Sequence, residues 1–205
     1  MDRLIEGYRR YRAGRWPALR TLHREFAQGQ SPHVLVIACC DSRVDPATIF
    51  DAYPGELFVI RNIANLAPPF EQGGGYHGTS AAIEFAVESL QVDTILVMGH
   101  AMCGGVAAAL ARGGDAPIAP EGSFLDAWVG LLDTAKARLA AQDPNAQTAL
   151  EHESVRVSLE NLMSFPFVAD RVADGRLTLA GAHYGVADGR LEILDPDTGQ
   201  FTSLD

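Results

Sequence analysis

The sequence predicts an α/β fold: a mostly parallel β-sheet flanked by helices, with an N-terminal helical arm and a C-terminal hairpin. Three observations predict it. The runs His33–Cys39, Leu57–Arg61 and Thr94–Gly99 are apolar throughout, as strands covered by helices on both faces are. Between and after them lie segments whose apolar residues recur at helical spacing. The chain then closes on two strand-like runs joined by Ala187-Asp188-Gly189-Arg190, a hairpin signal.

In order along the chain, Leu4, Ile5, Tyr8, Tyr11, Trp16, Leu19, Leu22 and Phe26 repeat at roughly helical spacing, broken near Gly14 and Pro17. This predicts one or two amphipathic helices, an arm over residues 1–28 able to pack on a partner subunit. The strands at His33–Cys39 and Leu57–Arg61 follow. Ala82, Ile83, Phe85, Ala86, Val87 and Leu90 mark a helix over Thr79–Leu90, ahead of the strand Thr94–Gly99. Helical periodicity returns at Val106–Ala111, Phe124–Ala141 and Ala149–Met163, and the last strands are Leu177–Gly185 and Leu191–Leu194. Gly113-Gly114-Asp115-Ala116-Pro117 is a loop too short for a linker, so one domain is expected over residues 1–205. The run Gly73-Gly74-Gly75 is also a loop: no strand leads directly into it and no nucleotide fingerprint follows.

Composition narrows the function. With 47% hydrophobic and 20% charged residues, 205 residues can bury a real core. A net charge of -10 argues against a nucleic-acid partner, which needs clustered Lys and Arg. The start has no apolar signal segment and the hydrophobic runs fall far short of a membrane span, so the expected address is the cytoplasm, with no membrane partner. Three cysteines, two of them adjacent, make a poor disulfide framework; beside histidine they point to metal or catalysis.

Cys39 follows one apolar run, and His100 with Cys103 follows another. Open α/β sheets bind ligands at the carboxyl ends of their strands. Two thiolates and an imidazole fill three corners of a tetrahedron around zinc and leave the fourth for water, the arrangement of a catalytic site. Strand alternation places Cys39, Asp41 and Arg43 on one side and Cys40 on the other, where it is read as a packed thiol. Asp41 beside Arg43 is either a structural ion pair or, next to an open metal corner, a carboxylate held ionised to accept a hydrogen bond.

The pattern Cys39-x-Asp41-Ser42-Arg43 and His100-x-x-Cys103-Gly104-Gly105, with the blocks Gly55–Asn65 and Ser80–Val87 between, closely resembles the β-class carbonic anhydrases. The likeness runs from about Gln30 to Gly105. It implies one zinc ion per chain on Cys39, His100 and Cys103, with Asp41 and Arg43 as a gating dyad. It also implies that Gln30 donates to bound bicarbonate, that Phe58 and Ile63 wall the CO2 pocket, and that the Gly104 N–H faces the substrate. Gln30, Phe58 and Ile63 are then lent by a neighbouring subunit, in a homodimer or a dimer of dimers with the active site at the interface.

The implied reaction is reversible hydration of CO2 to bicarbonate and a proton by zinc-bound hydroxide, the metal acidifying its water. Two thiolates cancel the 2+ charge, so activity should rise on the alkaline side of neutrality. Two departures from the family pattern matter. Phe85 stands where a tyrosine is common. Val36 and Ala38 replace the tryptophan and glycine of members with a regulatory bicarbonate pocket, which predicts the subtype with water, not Asp41, at the fourth corner. The alternatives are hydrolysis of carbonyl sulfide or carbon disulfide on the same ligands, and a non-catalytic zinc or thiol protein. His33, His77, His152 and His183 are read as exposed or locally hydrogen-bonded, and none is assigned as a proton shuttle.

Overall fold

The computed structural model of the 205-residue chain describes residues 1–73, 75–115, 117–140 and 143–204. Gly74, Ala116 and Ala141, which fall in three segments discussed above, lie outside the described residues. The chain divides into two compact units, Met1–Ser31 and Pro32 onward.

The first unit is a pair of helices, α1 (Asp2–Gly14) and α2 (Trp16–Phe26), with Pro17 in the first turn of α2, where its missing N–H costs nothing. Trp16 packs against His23, Tyr11 Oη lies 3.3 Å from His23 Nε2, and the Arg12 guanidinium lies over the Trp16 ring. No residue of either helix is buried.

The second unit is built on a six-stranded sheet: β1 (Val34–Cys39), β2 (Leu57–Asn62), β3 (Thr94–His100), β4 (Thr178–Tyr184), β5 (Leu191–Leu194) and β6 (Phe201–Ser203), in the order β2-β1-β3-β4-β5-β6. The first four are mutually parallel, and β5 and β6 add antiparallel as the hairpin and its extension. Burial on both faces explains the apolar runs of β1 and β3, whereas β2, at the edge of the sheet, is mostly half-buried or exposed. Leu35 and Ile37 enter one core cluster with Ile95, Val97, Val155 and Leu162, while Val36 and Ala38 enter another with Met98 and Ala182.

Helices α3 (Pro46–Ile49), α4 (Gly78–Glu84), α5 (Gly104–Ala111), α6 (Phe124–Val129), α7 (Asp133–Ala137), α8 (Ala146–Leu162) and α9 (Pro166–Ala173) complete this unit. α4 runs on through a π-helical turn, Phe85–Ser89. The helix expected over Phe124–Ala141 is instead α6, a 3₁₀ turn at Gly130–Leu132 and α7. α8 packs tightly on the sheet because Gly99 and Gly181 have no side chain: a Cβ there would come within 2.9 and 2.7 Å of Val155. Among the described residues no helix is long and apolar enough to cross a membrane.

Candidate metal centre

β2 lies on one side of β1, and β3 with β4 on the other. The chain therefore reverses direction across the sheet between β1 and β3, and that switch point, at the carboxyl ends of the strands, is where open α/β sheets hold ligands. Cys39 ends β1, His100 ends β3, and Cys103 is the residue before α5. Their sulfur and nitrogen atoms lie within 4.8 Å of one another, and all three residues are buried.

The spacing fits a metal ion. The two sulfurs are 3.9 Å apart, and two thiolates at about 2.3 Å from a tetrahedral ion stand roughly 3.8 Å apart. His100 Nδ1 lies 2.9 Å from the Ala101 carbonyl, and donating its proton there leaves Nε2 as a bare acceptor. That Nε2 is buried and, among the described residues, has no hydrogen-bond partner. Buried polar atoms are nearly always paired; a cation is the partner this one lacks, and the Cys2His donor set suits zinc. Hydrogen bonding from the Cys103 thiol, against the cost of burial, draws Cys39 down toward thiolate. The same contact, reinforced by burial, pushes Cys103 up. A bound dication removes the proton the pair retains.

The structure brings Asp41 and Arg43 together beside this centre. Arg43 Nε donates to Asp41 Oδ1 at 2.9 Å and Nη2 to Oδ2 at 2.7 Å, while the Arg43 backbone N–H adds a bond to Oδ1. These bonds hold the Asp41 carboxyl well below the usual carboxylate range. Arg43 Nη2 also reaches the Met102 carbonyl at 3.1 Å, tying the loop after β1 to the loop that carries Cys103.

A 3₁₀ turn, Ile63–Asn65, supplies the apolar side. Ala64 and Asn65 both adopt positive φ, and the turn is clamped by Trp128 Nε1 donating to the Ile63 carbonyl at 2.8 Å and by the Asn62 amide bridging both backbone groups of Leu66. A Cβ on Gly105 would come within 2.6 Å of Ile63, so only glycine lets α5 start against this turn. The result is a recess of about 290 Å³ lined by Cys39, Cys40, Asp41, Ile63, Gly104, Gly105 and Leu125. In front of Gly104 the space is open.

Ile63 lines the recess of its own chain. Phe58 does not line it; its ring packs on Phe85, with centroids 5.8 Å apart. Gln30 stands outside the core unit, exposed near the end of the N-terminal unit. Cys40, expected to pack as a buried thiol, is exposed where the strand ends.

Two supporting residues escaped the sequence reading. Arg61 on β2 donates to the carbonyls of Cys39 (2.8 Å), Asp41 (2.6 Å) and Val44 (3.3 Å), fixing the whole loop after β1. Glu151 on α8, only 1% exposed, accepts from the Cys103 N–H at 3.0 Å and from Gln147 at 2.7 Å through Oε1, and its Oε2 meets His183 at 3.2 Å. Burial opposes its charge, but the bonds from His183, Gln147 and Cys103 together keep its carboxyl below the ordinary value. The signal was its register: Glu151 falls three and four residues before Ser154 and Val155, on the buried face of α8.

The family model described as Carbonic anhydrase matches residues 34–191. Beta carbonic anhydrase 3 of Arabidopsis thaliana is 35% identical over 203 residues, covering 96% of this chain and 78% of that protein. Among solved structures, the β-carbonic anhydrase CcaA superposes with a TM-score of 0.83 at 30% identity, over 99% of this chain and 98% of that one. A chain from the two tetrameric β-carbonic anhydrases of Sordaria macrospora gives 0.80 at 27% identity, over 98% of both. Similarity this extensive, in sequence as well as in fold, shows that the chain belongs to the β-class carbonic anhydrases.

Proposed function

We propose that the protein catalyses the reversible hydration of CO2 to bicarbonate and a proton, with one zinc ion per chain held by Cys39, His100 and Cys103. The observation that carries this reading is the buried, unpartnered Nε2 of His100 beside two sulfurs 3.9 Å apart, at the end of an open recess. Zinc held there would supply a nucleophile near neutral pH by acidifying water. Asp41, ionised and oriented by Arg43, accepts the hydrogen bond that fixes the nucleophile's direction. Since Arg43 already engages both Asp41 oxygens, Asp41 would be held as an acceptor beside the metal and not as one of its ligands. Ile63 offers the apolar wall for CO2. The Gly104 N–H, at the first position of α5 and so without a partner inside the helix, meets the oxygen on which negative charge grows.

Gln30 and Phe58 are assigned to the site of a neighbouring subunit. Phe58 and Phe85 form a ring pair away from their own recess, and Phe85 is 46% exposed. An apolar groove of about 810 Å³ adjoins the recess through Cys40, Ile63 and Leu125, and the aromatic rings of Tyr76 and Phe124 on it are fully exposed. Apolar surface of this kind marks an interface. With a tetrameric relative among the solved structures, it supports a homodimer or a dimer of dimers with the active site at the interface.

Stopped-flow CO2 hydration from about pH 7 to pH 9 tests the proposal. The rate is expected to rise with pH and to vanish, along with bound zinc, in Cys39→Ser. A flat, background-level rate in zinc-loaded protein would sink the reading and make carbonyl sulfide the next substrate to assay.

A further inference from the structure

We propose that His152, His183 and Glu192 form a second metal site for a zinc-class divalent cation, separate from the catalytic centre and joined to it through Glu151. The three residues come from three elements. His183 on β4 and Glu192 on β5 are direct cross-strand partners, which puts their side chains on one face of the sheet. His152 comes down onto that face from α8.

The donor atoms converge on a point. His152 Nε2 and His183 Nδ1 each lie 3.2 Å from the same oxygen, Glu192 Oε2, and all three ligand atoms fall within 4.8 Å of one another. Nitrogen and oxygen ligands at about 2.1 Å from a tetrahedral ion are separated by roughly 3.4 Å, close to this spacing. Two imidazoles and a carboxylate suit zinc, cobalt, nickel or copper better than magnesium or calcium.

The surroundings are those of a metal site. A histidine that binds a metal is oriented by a carboxylate on its other ring nitrogen, and His183 Nε2 has one in Glu151, 3.2 Å away. Glu151 is itself fixed by Gln147 and the Cys103 N–H, so the second site and the catalytic centre share one buried carboxylate. His152 is held by stacking on Phe201, with ring centroids 4.1 Å apart, and the Arg156 guanidinium lies over the same Phe201 ring. Burial and the neighbouring His183 push the His152 pKa down, favouring the neutral imidazole that ligation requires. The His183 side chain is 5% exposed, but those of His152 and Glu192 are 21% and 28% exposed, which leaves an ion a way in.

The test counts ions. Tag-free protein carrying its catalytic zinc is dialysed against a graded series of Zn2+ and analysed for metal per chain. The native protein is expected to reach about two ions per chain. His152→Ala and the volume-conserving Glu192→Gln, neither of which touches Cys39, His100 or Cys103, should stop at about one. Cobalt added to the zinc-loaded native protein should give visible d–d bands without thiolate-to-cobalt charge transfer, and both variants should lose them. Saturation of the native protein at one ion overturns the proposal. So does a second ion kept by both variants, or a charge-transfer band showing that added metal enters the thiolate centre.

Discussion

Asp41 and Arg43 are two residues apart, and that spacing permits a two-pronged contact within one short loop. The pair was legible in the sequence because both partners are local, as were Cys39, His100 and Cys103, whose residue types at strand ends left few other readings. Arg61 and Glu151 were not legible. Their partners lie up to 48 residues away, and only the folded sheet brings them together. Asp41→Asn tests the dyad: the amide offers one acceptor oxygen and turns an NH2 toward the Arg43 donors. CO2 hydration is expected to fall about 10–100-fold with zinc content unchanged; loss of zinc as well would make Asp41 a structural residue. His152 carries a pH effect. Burial and His183 lower its pKa, Arg156 adds to the lowering, and Glu192 opposes it. Because the folded value lies below the unfolded one, near 6.5, the unfolded chain takes up more protons as the pH falls past that point. The stability tied to neutral His152 is therefore present above about pH 6.5 and lost as the pH falls toward the folded value. With chelator present, the urea midpoint should drop across this window less in His152→Gln than in the native protein; parallel curves would remove His152 from the account.

Two of the strands were read from their uniform burial. β1 and β3 are covered on both faces, and continuous apolar runs announce that. Where local preference and tertiary packing disagree, the sequence misleads. Helical periodicity is read through Phe124–Ala141, yet the structure tightens to a 3₁₀ turn at Gly130–Leu132, and the Arg112 guanidinium lies against Gly130. α3 and β6, with four and three residues, are too short to leave a periodic signal. The contact between α8 and the sheet is equally hidden, because it depends on what two glycines omit. Gly99→Ala would drive a Cβ to within 2.9 Å of Val155 and lift α8 from β3, carrying Glu151 away from Cys103. Overpacking of this kind costs about 1–3 kcal/mol. Urea unfolding should show that loss, and Gly99→Ala combined with Val155→Ala should be more stable than the sum of the single effects predicts. Strict additivity would mean that the glycine serves some other purpose.

At the scale of the molecule, the N-terminal arm poses the question of what covers it. Helical spacing made α1 and α2 legible, but it could not say what their apolar faces meet. None of their residues is buried, and Leu4 and Tyr8 are 74% and 60% exposed. Thirty-one residues forming two helices with no buried core have too little burial to offset their ordering entropy, at about 1–2 kcal/mol per residue. In the proposed assembly a second copy of the chain would cover the arm, and the exposed aromatic groove beside Ile63 argues for the same partner. Removing residues 1–31 should therefore leave a folded core that assembles with fewer subunits than the full chain and dissociates at higher concentration. It should also lose most CO2 hydration if Gln30, which the proposed function assigns to a neighbouring site, acts there. If the shortened chain keeps the subunit number of the full-length protein, the arm is not what joins the subunits, and the groove on the core unit must hold the assembly alone.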